Sequence, residues 1–314
     1  DDDPADFEEK RAACQEVGID TEEIDAAAAR EAVPDLSEAT ERAMWVDDAV
    51  IYPSRLVAAT AADAADAGAD VHTHSPVVDA TVRDGAVDRV TVGGEFDETV
   101  EPTYVVNAGG AWAGQIADVF DIDVGMAPSR GVMVSVDYDG PHPVLNRCRD
   151  PDDGDIVVPH EGETVLGTTS VPVSSPDDYE QEQWEVDRSI EECAEMLPAV
   201  GDADVVRKWW GVRPLYAPDE AGEDRRGISR GFFLLDHGRD GVDNAASVVG
   251  GKLTTYRQMA EETVDHICET LGVDADCVTA DRELPAADDP DRLDEFVARY
   301  DAKGQTDRDV VTAD

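Results

Sequence analysis

What this sequence has least of is positive charge. Of its 314 residues only 25 are lysine or arginine, against 73 aspartates and glutamates, for a formal net charge of −48. Lysine is the scarcer of the two, with Lys10, Lys208, Lys252 and Lys303 making up the whole set. A chain without a basic patch cannot neutralise a phosphate backbone, which argues against nucleic acid as a partner. Cysteine is sparse as well. Cys14, Cys148, Cys193, Cys268 and Cys277 form no CxxC pair, so neither a zinc site nor a thioredoxin-like centre is signalled. The odd, dispersed set suits a reducing cytosol. No apolar run nears the roughly 18–20 residues of a membrane span. The start, DDDPADFEEK, has no Met, so the lack of a targeting signal there carries no weight.

What is present is acid spread along the whole chain and an apolar fraction of 41%, which excludes disorder. Spread acid with few lysines fits a halophilic surface, kept hydrated in high salt where ions screen its self-repulsion. The length allows two domains and a sizeable core. Residues 1–45 read as acidic helices, one around Phe7, Cys14 and Val17 and a second from Thr21 to Ala32. Ser54 is placed to cap a helix over 55–67, with Gly68 to end it. Strands are expected at 71–73, 77–83 and 87–92, the last two joined by an Asp84-Gly85 hairpin turn. Two strand–glycine–helix elements follow this helix-and-strand pattern of α/β type. The first is TYVVNAGGAWAGQIADVF (103–120) and the second SVVGGKLTTYRQMAEETVDHICETL (247–271), whose helix Thr254 or Thr255 can cap. A glycine turn at a helix N-terminus lets a ligand approach the backbone and meet its free N–H groups, although the same turn also serves as ordinary punctuation. Between them the texture changes, with strands near 132–136, 156–159, 164–168 and 205–216 and a helix over 179–197.

Several of these motifs together resemble one family. SVVGGKLTTYRQMAE (247–261), WGVRPL (210–215), ISRGFFLLDH (228–237) and VVNAGGAW (105–112) are similar to FAD-dependent glycerol-3-phosphate dehydrogenase. LNRCRDPDDGDIVVP (145–159) with VLGTTS (165–170) points to the A subunits of its anaerobic branch. The similarity runs from about residue 5 to about residue 275, and several motifs in order make it specific. It implies a mixed α/β fold like that of D-amino-acid oxidase: a Rossmann-like FAD-binding domain and an antiparallel-sheet cap over the substrate. The expected division is 1–127 and 217–280 for the FAD-binding part, 128–216 for the cap, and 281–314 as a tail with a short helix near 293–300. The family also begins with a GxGxxG turn and ends in a cysteine-rich extension. This sequence has neither, so the expectation is an internal fragment with an incomplete FAD-binding domain, colourless or weakly flavin-binding when purified.

The resemblance implies oxidation of glycerol 3-phosphate with FAD as cofactor. Electrons would pass to quinone through iron–sulfur and membrane-anchoring partner subunits that hold the protein, cytoplasmic, at the inner face of the membrane. It assigns Asn107, Ala108, Gly109, Gly110, Gly250, Gly251, Lys252, Leu253, Thr254 and Val78 to the cofactor. It assigns Arg213 and Lys252 to catalysis, and Arg230 and Thr169 to substrate. An arginine grips a phosphate or alkoxide through its planar fork; in so acidic a chain the alternative for Arg213 is a structural ion pair, which for Arg230 carries nearly equal weight. Thr168, beside Thr169, is a second cap hydroxyl that could face substrate. The general base stays open. Met133 stands where a histidine is a candidate in the aerobic branch, leaving His160, His237 and Lys252. The other readings are a related flavin oxidoreductase acting on an amine or amino acid, and an inert cap-and-scaffold piece.

Overall fold

The computed structural model describes residues 3–140, 143–217 and 231–304. The elements run α1 (Pro4–Glu16), β1 (Thr21–Asp25), α2 (Ala26–Ala32), β2 (Arg42–Val46), α3 (Pro53–Asp66), β3 (Val77–Arg83), β4 (Ala86–Val92), β5 (Thr99–Val100), β6 (Val105–Asn107) and α4 (Ala113–Asp118). They continue with β7 (Ser129–Val136), β8 (Leu145–Asn146), β9 (Ile156–His160), β10 (Glu163–Gly167), β11 (Val171–Pro172), α5 (Gln183–Met196) and β12 (Val205–Arg213). β13 (Phe232–Asp236), β14 (Ala245–Gly250), α6 (Tyr256–Leu271) and α7 (Pro290–Arg299) close the order.

The largest sheet is antiparallel and built on β7. β12 runs along one side of it, from Val205 opposite Val136 to Arg213 opposite Ser129. β10 and then β11 share the other side, and β9 and β8 extend the sheet outward. Alternation on β7 sends Val132, Val134 and Val136 to one face, where each is fully buried against Val157, Leu166 and the α5 residues Val186 and Cys193. The opposite face buries polar groups. Arg207 Nε donates to Glu163 Oε2 at 3.2 Å, and the Ser135 hydroxyl donates to the same carboxylate. A buried charge is tolerated there because its opposite charge is beside it.

A smaller sheet has the order β13-β14-β6, with β6 and β14 parallel and Asn107 opposite Ser247. Its core joins Ala245 and Val249 to Ala113, Ala117, Phe120 and Ile122 after β6, and to Val87 and Val90 of the β3–β4 hairpin. That hairpin turns where expected, with Asp84 at φ 51° and Gly85 at φ 81°.

Several expectations need correction. Thr21–Asp25 is a strand paired with β2, not the start of a helix; β-branched Thr21 and Ile24 suit a ladder. The helix begins only after Asp25, whose carboxylate accepts from Ala27 N and Ala28 N at 2.9 Å. Residues 71–73 form no strand, lying between left-handed Gly68 and His74. Ser54 does not cap α3: Pro53 takes the first helical position after Tyr52, which puts Ser54 inside the helix and buried. Thr255 stands at the N-cap of α6, yet its hydroxyl bonds the backbone of Lys252 instead. The short helix expected in the tail is present as α7, which packs Phe296, Val297 and Tyr300 onto Ala58 and Ala62 of α3.

Candidate active site

Parallel pairing of β6 and β14 makes both strands end at one edge of the small sheet, and each end is a glycine turn. After β6, buried Asn107 organises the first turn. Its amide donates to Ala113 O at 2.8 Å, and its Oδ1 accepts from Gly109 N at 3.1 Å. Gly110 follows at φ 57°, and a Cβ built there would meet nothing within 4 Å. Ala108 is exposed beside it. After β14, Gly250 and Gly251 sit at φ 77° and 76°. A Cβ on Gly250 would fall 2.6 Å from Gly231 O, and one on Gly251 2.5 Å from Met259 Sδ. Only glycine fits these two positions without strain.

The chain then enters a tight helical turn, Leu253–Thr255. Its first hydrogen bond is Thr255 N to Lys252 O at 3.0 Å, so the N–H groups of Leu253 and Thr254 come before the ladder begins. Thr255 Oγ1 fastens the turn, accepting from Lys252 N at 3.0 Å and donating to Lys252 O at 2.9 Å. Lys252 is exposed, and Leu253 and Tyr256 stand exposed just after it. Such a surface, with open space at Gly110, the N–H groups of Leu253 and Thr254 ahead of the ladder and exposed apolar side chains, fits the flat and partly apolar ring system of a flavin. The residues present therefore suit FAD.

The first glycine turn, continued as Gly110–Trp112, packs against both β14 and β12. It is thereby brought beside the strand that carries Arg213. Trp112 Nε1 also donates to Asp177 at 2.7 Å, and Gln115 donates to the other carboxylate oxygen at 3.0 Å. These two bonds, Trp112's first, hold the Asp177 carboxyl below the usual range and tie the turn to the loop before α5.

Arg213 is half-buried at the end of β12. Its Nη1 donates to Arg130 O at 3.3 Å and its Nη2 to Thr168 Oγ1 at 3.1 Å. Below it lies a buried polar cluster. Glu185 on α5, with no exposed surface, accepts from Thr169 Oγ1 at 2.7 Å, Arg130 Nε at 3.1 Å and Trp210 Nε1 at 3.1 Å. Thr169 is thus committed to Glu185 and, through the same oxygen, to Val132 N at 3.1 Å. This corrects the expectation that Thr169 faces substrate: the side chain turned toward Arg213 is that of Thr168.

One other expected site residue lies elsewhere and another falls outside what the structure describes. Val78 is exposed on β3, in the separate three-stranded sheet of β3, β4 and β5. Arg230 is outside the described residues. Of the candidate bases, His237 is buried and held at both nitrogens, 2.8 Å from Asp240 Oδ2 and 2.8 Å from Ser247 Oγ. His160 pairs with Glu163 at the turn end of β10, about 17 Å along the strand from Thr168. Arg130, Glu185 and Asp177 join the site only through the fold. Arg130 carries a signal, a charge just ahead of the apolar residues Val132–Val134; Glu185 and Asp177 carry none, because carboxylates are everywhere in this chain.

The family model of the FAD dependent oxidoreductases (DAO) matches residues 1–257, and the chain belongs to that family. Among curated relatives, it is 46% identical over 312 residues to the A1 subunit of anaerobic glycerol-3-phosphate dehydrogenase from Haloferax volcanii, covering 93% of this chain and 53% of that one. It is 38% identical over 286 residues to the A subunit of the Escherichia coli enzyme, covering 88% and 52%. The chain thus spans about half the length of the curated relatives it matches. Among solved structures, an FAD complex of glycerol-3-phosphate dehydrogenase from Bacillus halodurans superposes with TM-score 0.68 at 24% identity, over 90% of this chain and 58% of that one. Glycine oxidase from Bacillus cereus superposes with TM-score 0.66 at 21% identity, over 87% and 71%. At these identities the likeness is one of fold.

Proposed function

We propose that the chain forms part of an FAD-dependent dehydrogenase that oxidises glycerol 3-phosphate at C2 to dihydroxyacetone phosphate. The observation that carries this reading is the convergence of two glycine turns on one sheet edge, with the strand bearing Arg213 packed against the first. FAD, when bound, supplies the two-electron acceptor. Gly250 and Gly251 let the backbone lie close to a planar ring, and the N–H groups of Leu253 and Thr254 with the Lys252 charge favour negative charge there. The forked guanidinium of Arg213 suits a phosphate or the developing alkoxide of the substrate. In this reading the β7-based sheet over residues 128–216 is the cap, and residues 1–127 and 217–280 belong to the cofactor-binding part. Arg230 adds a second cation for the phosphate.

The curated relatives are named as subunits, which supports membership of a multi-subunit complex. Among the described residues no helix is long and apolar enough to cross a membrane. We assign membrane attachment and quinone reduction to partner subunits, with this chain on the cytoplasmic side. The test is dye reduction by the FAD-loaded enzyme with glycerol 3-phosphate, compared with a panel of amines and amino acids. Turnover of glycerol 3-phosphate, lost by at least about a hundredfold in R213A, is the expected result. Activity on an amine alone would replace this reading by the amine-oxidoreductase one. An FAD-free, inert protein would leave the scaffold reading.

A further inference from the structure

Arg213 is useful to a substrate only if its fork is held still, and two bonds that hold it come from the cap's interior. One is to the carbonyl of Arg130 on β7, the other to the hydroxyl of Thr168 just after β10. The Thr168 hydroxyl directs its own proton to Thr169 O at 3.4 Å, which leaves its lone pairs for Arg213 Nη2. Glu185 braces both holding groups indirectly. Its carboxylate takes Thr169 Oγ1 at 2.7 Å and Arg130 Nε at 3.1 Å, the chain neighbour of one holding group and the side chain of the other. The approach is close enough to require a residue without a side chain. A Cβ on Gly131 would lie 2.4 Å from Thr169 O and 2.7 Å from both Thr168 Oγ1 and Arg213 Nη2.

Resting on the function proposed above, we infer that Thr168 is a positioning residue: it sets the direction of the Arg213 guanidinium, and the buried Glu185 cluster sets Thr168. Thr168 acts through Arg213 and not on the substrate. The distinction has a measurable consequence, since a residue that works only through Arg213 has no work left once Arg213 is gone.

The experiment is a double-mutant cycle in the FAD-loaded enzyme, with T168V, T168S, R213A and T168V/R213A assayed for kcat and KM with glycerol 3-phosphate. Binding of glycerol 2-phosphate, a non-reacting phosphate ester, is followed alongside by the flavin difference spectrum. Losing a hydrogen bond to a charged group predicts a fall in kcat/KM of roughly ten- to a hundredfold for T168V, with matching weakening of glycerol 2-phosphate. T168S, which keeps the hydroxyl, recovers to within about threefold of the wild type. In the R213A background, T168V changes kcat/KM by less than about twofold. An equal T168V effect with and without Arg213 overturns the inference, because Thr168 would then act on substrate or on the fold directly. A T168V enzyme at wild-type level, with R213A impaired, also overturns it and leaves the function standing. A wild type inactive on glycerol 3-phosphate overturns the proposed function itself.

Discussion

The β7-based sheet and the glycine edge of the small sheet place site residues in opposite ways. In the first, Arg213 rests on a closed interior. Val132, Val134, Val136, Val157 and Leu166 have no exposed surface, and the charged Glu185 has none either. In the second, Val106, Phe233, Leu253 and Tyr256 are 39%, 38%, 43% and 38% exposed, and backbone and Thr255 bonds hold the turn. One region places a charge by packing; the other offers backbone. The lesson concerns what a mutation should do. In the sheet, stability and geometry are the same interactions, while at the edge they separate.

The largest expected effect breaks the packed side. Leu166→Ala removes a side chain with no exposed surface from between β7 and α5. It should cost about 2–5 kcal/mol in denaturant unfolding. The matching change at the edge, Leu253→Ala, should cost far less in the same measurement, about 0.5 kcal/mol, since the residue is already 43% exposed. Its effect should appear as FAD affinity, weakened by about 1 kcal/mol through lost apolar cover. Equal unfolding losses at both sites would erase the distinction.

Gly250→Ala sharpens the comparison from the other side. The residue sits at φ 77° with Gly231 O only 2.6 Å from where a Cβ would be. The left-handed conformation alone costs an ordinary residue about 1–2 kcal/mol, and the backbone contact has to open as well. The strain falls on the turn rather than on a core. The expected result is FAD dissociation faster by at least about tenfold, read by flavin fluorescence, with a smaller change in unfolding than for Leu166→Ala. Unchanged flavin retention would remove Gly250 from the cofactor edge.

This same division explains what could be read from the sequence. Glycine turns announce themselves, so both strand–glycine–helix elements and the Asp84-Gly85 hairpin were legible residue by residue. The apolar alternation of β7 gave the sheet. What escaped was whatever depends on a partner far along the chain. Thr21–Asp25 looks helical until Arg42–Val46 is beside it. Thr168 and Thr169 are adjacent and alike, and only Glu185 on α5 decides which of them turns to Arg213. In a chain with 73 acidic residues, no pattern marks Glu163 and Glu185 as carboxylates that the fold buries.

The smallest effect tests how tightly the packed side is closed to water and charge. Cys193 on α5 is fully buried, with its thiol 3.4 Å from both Gly154 O and Ile156 O. Burial, foremost, pushes its thiol from 9.0 up to about 12. The folded value lies above the unfolded one, so its contribution to stability is complete below pH 9 and is lost as pH rises toward 12. Tyr138, packed on the same core, adds to the trend, pushed from 10.0 to about 12 by burial and by the Asp35 carboxylate. Melting temperature should therefore fall between pH 9 and 12, and Cys193→Ala should flatten part of that fall. At about pH 8 a thiol reagent should label exposed Cys277 at once and reach Cys193 only when the protein unfolds. Rapid labelling of Cys193 in the folded protein would mean that the sheet opens locally, and Arg213 would then lose the rigid support that sets it apart from the glycine edge.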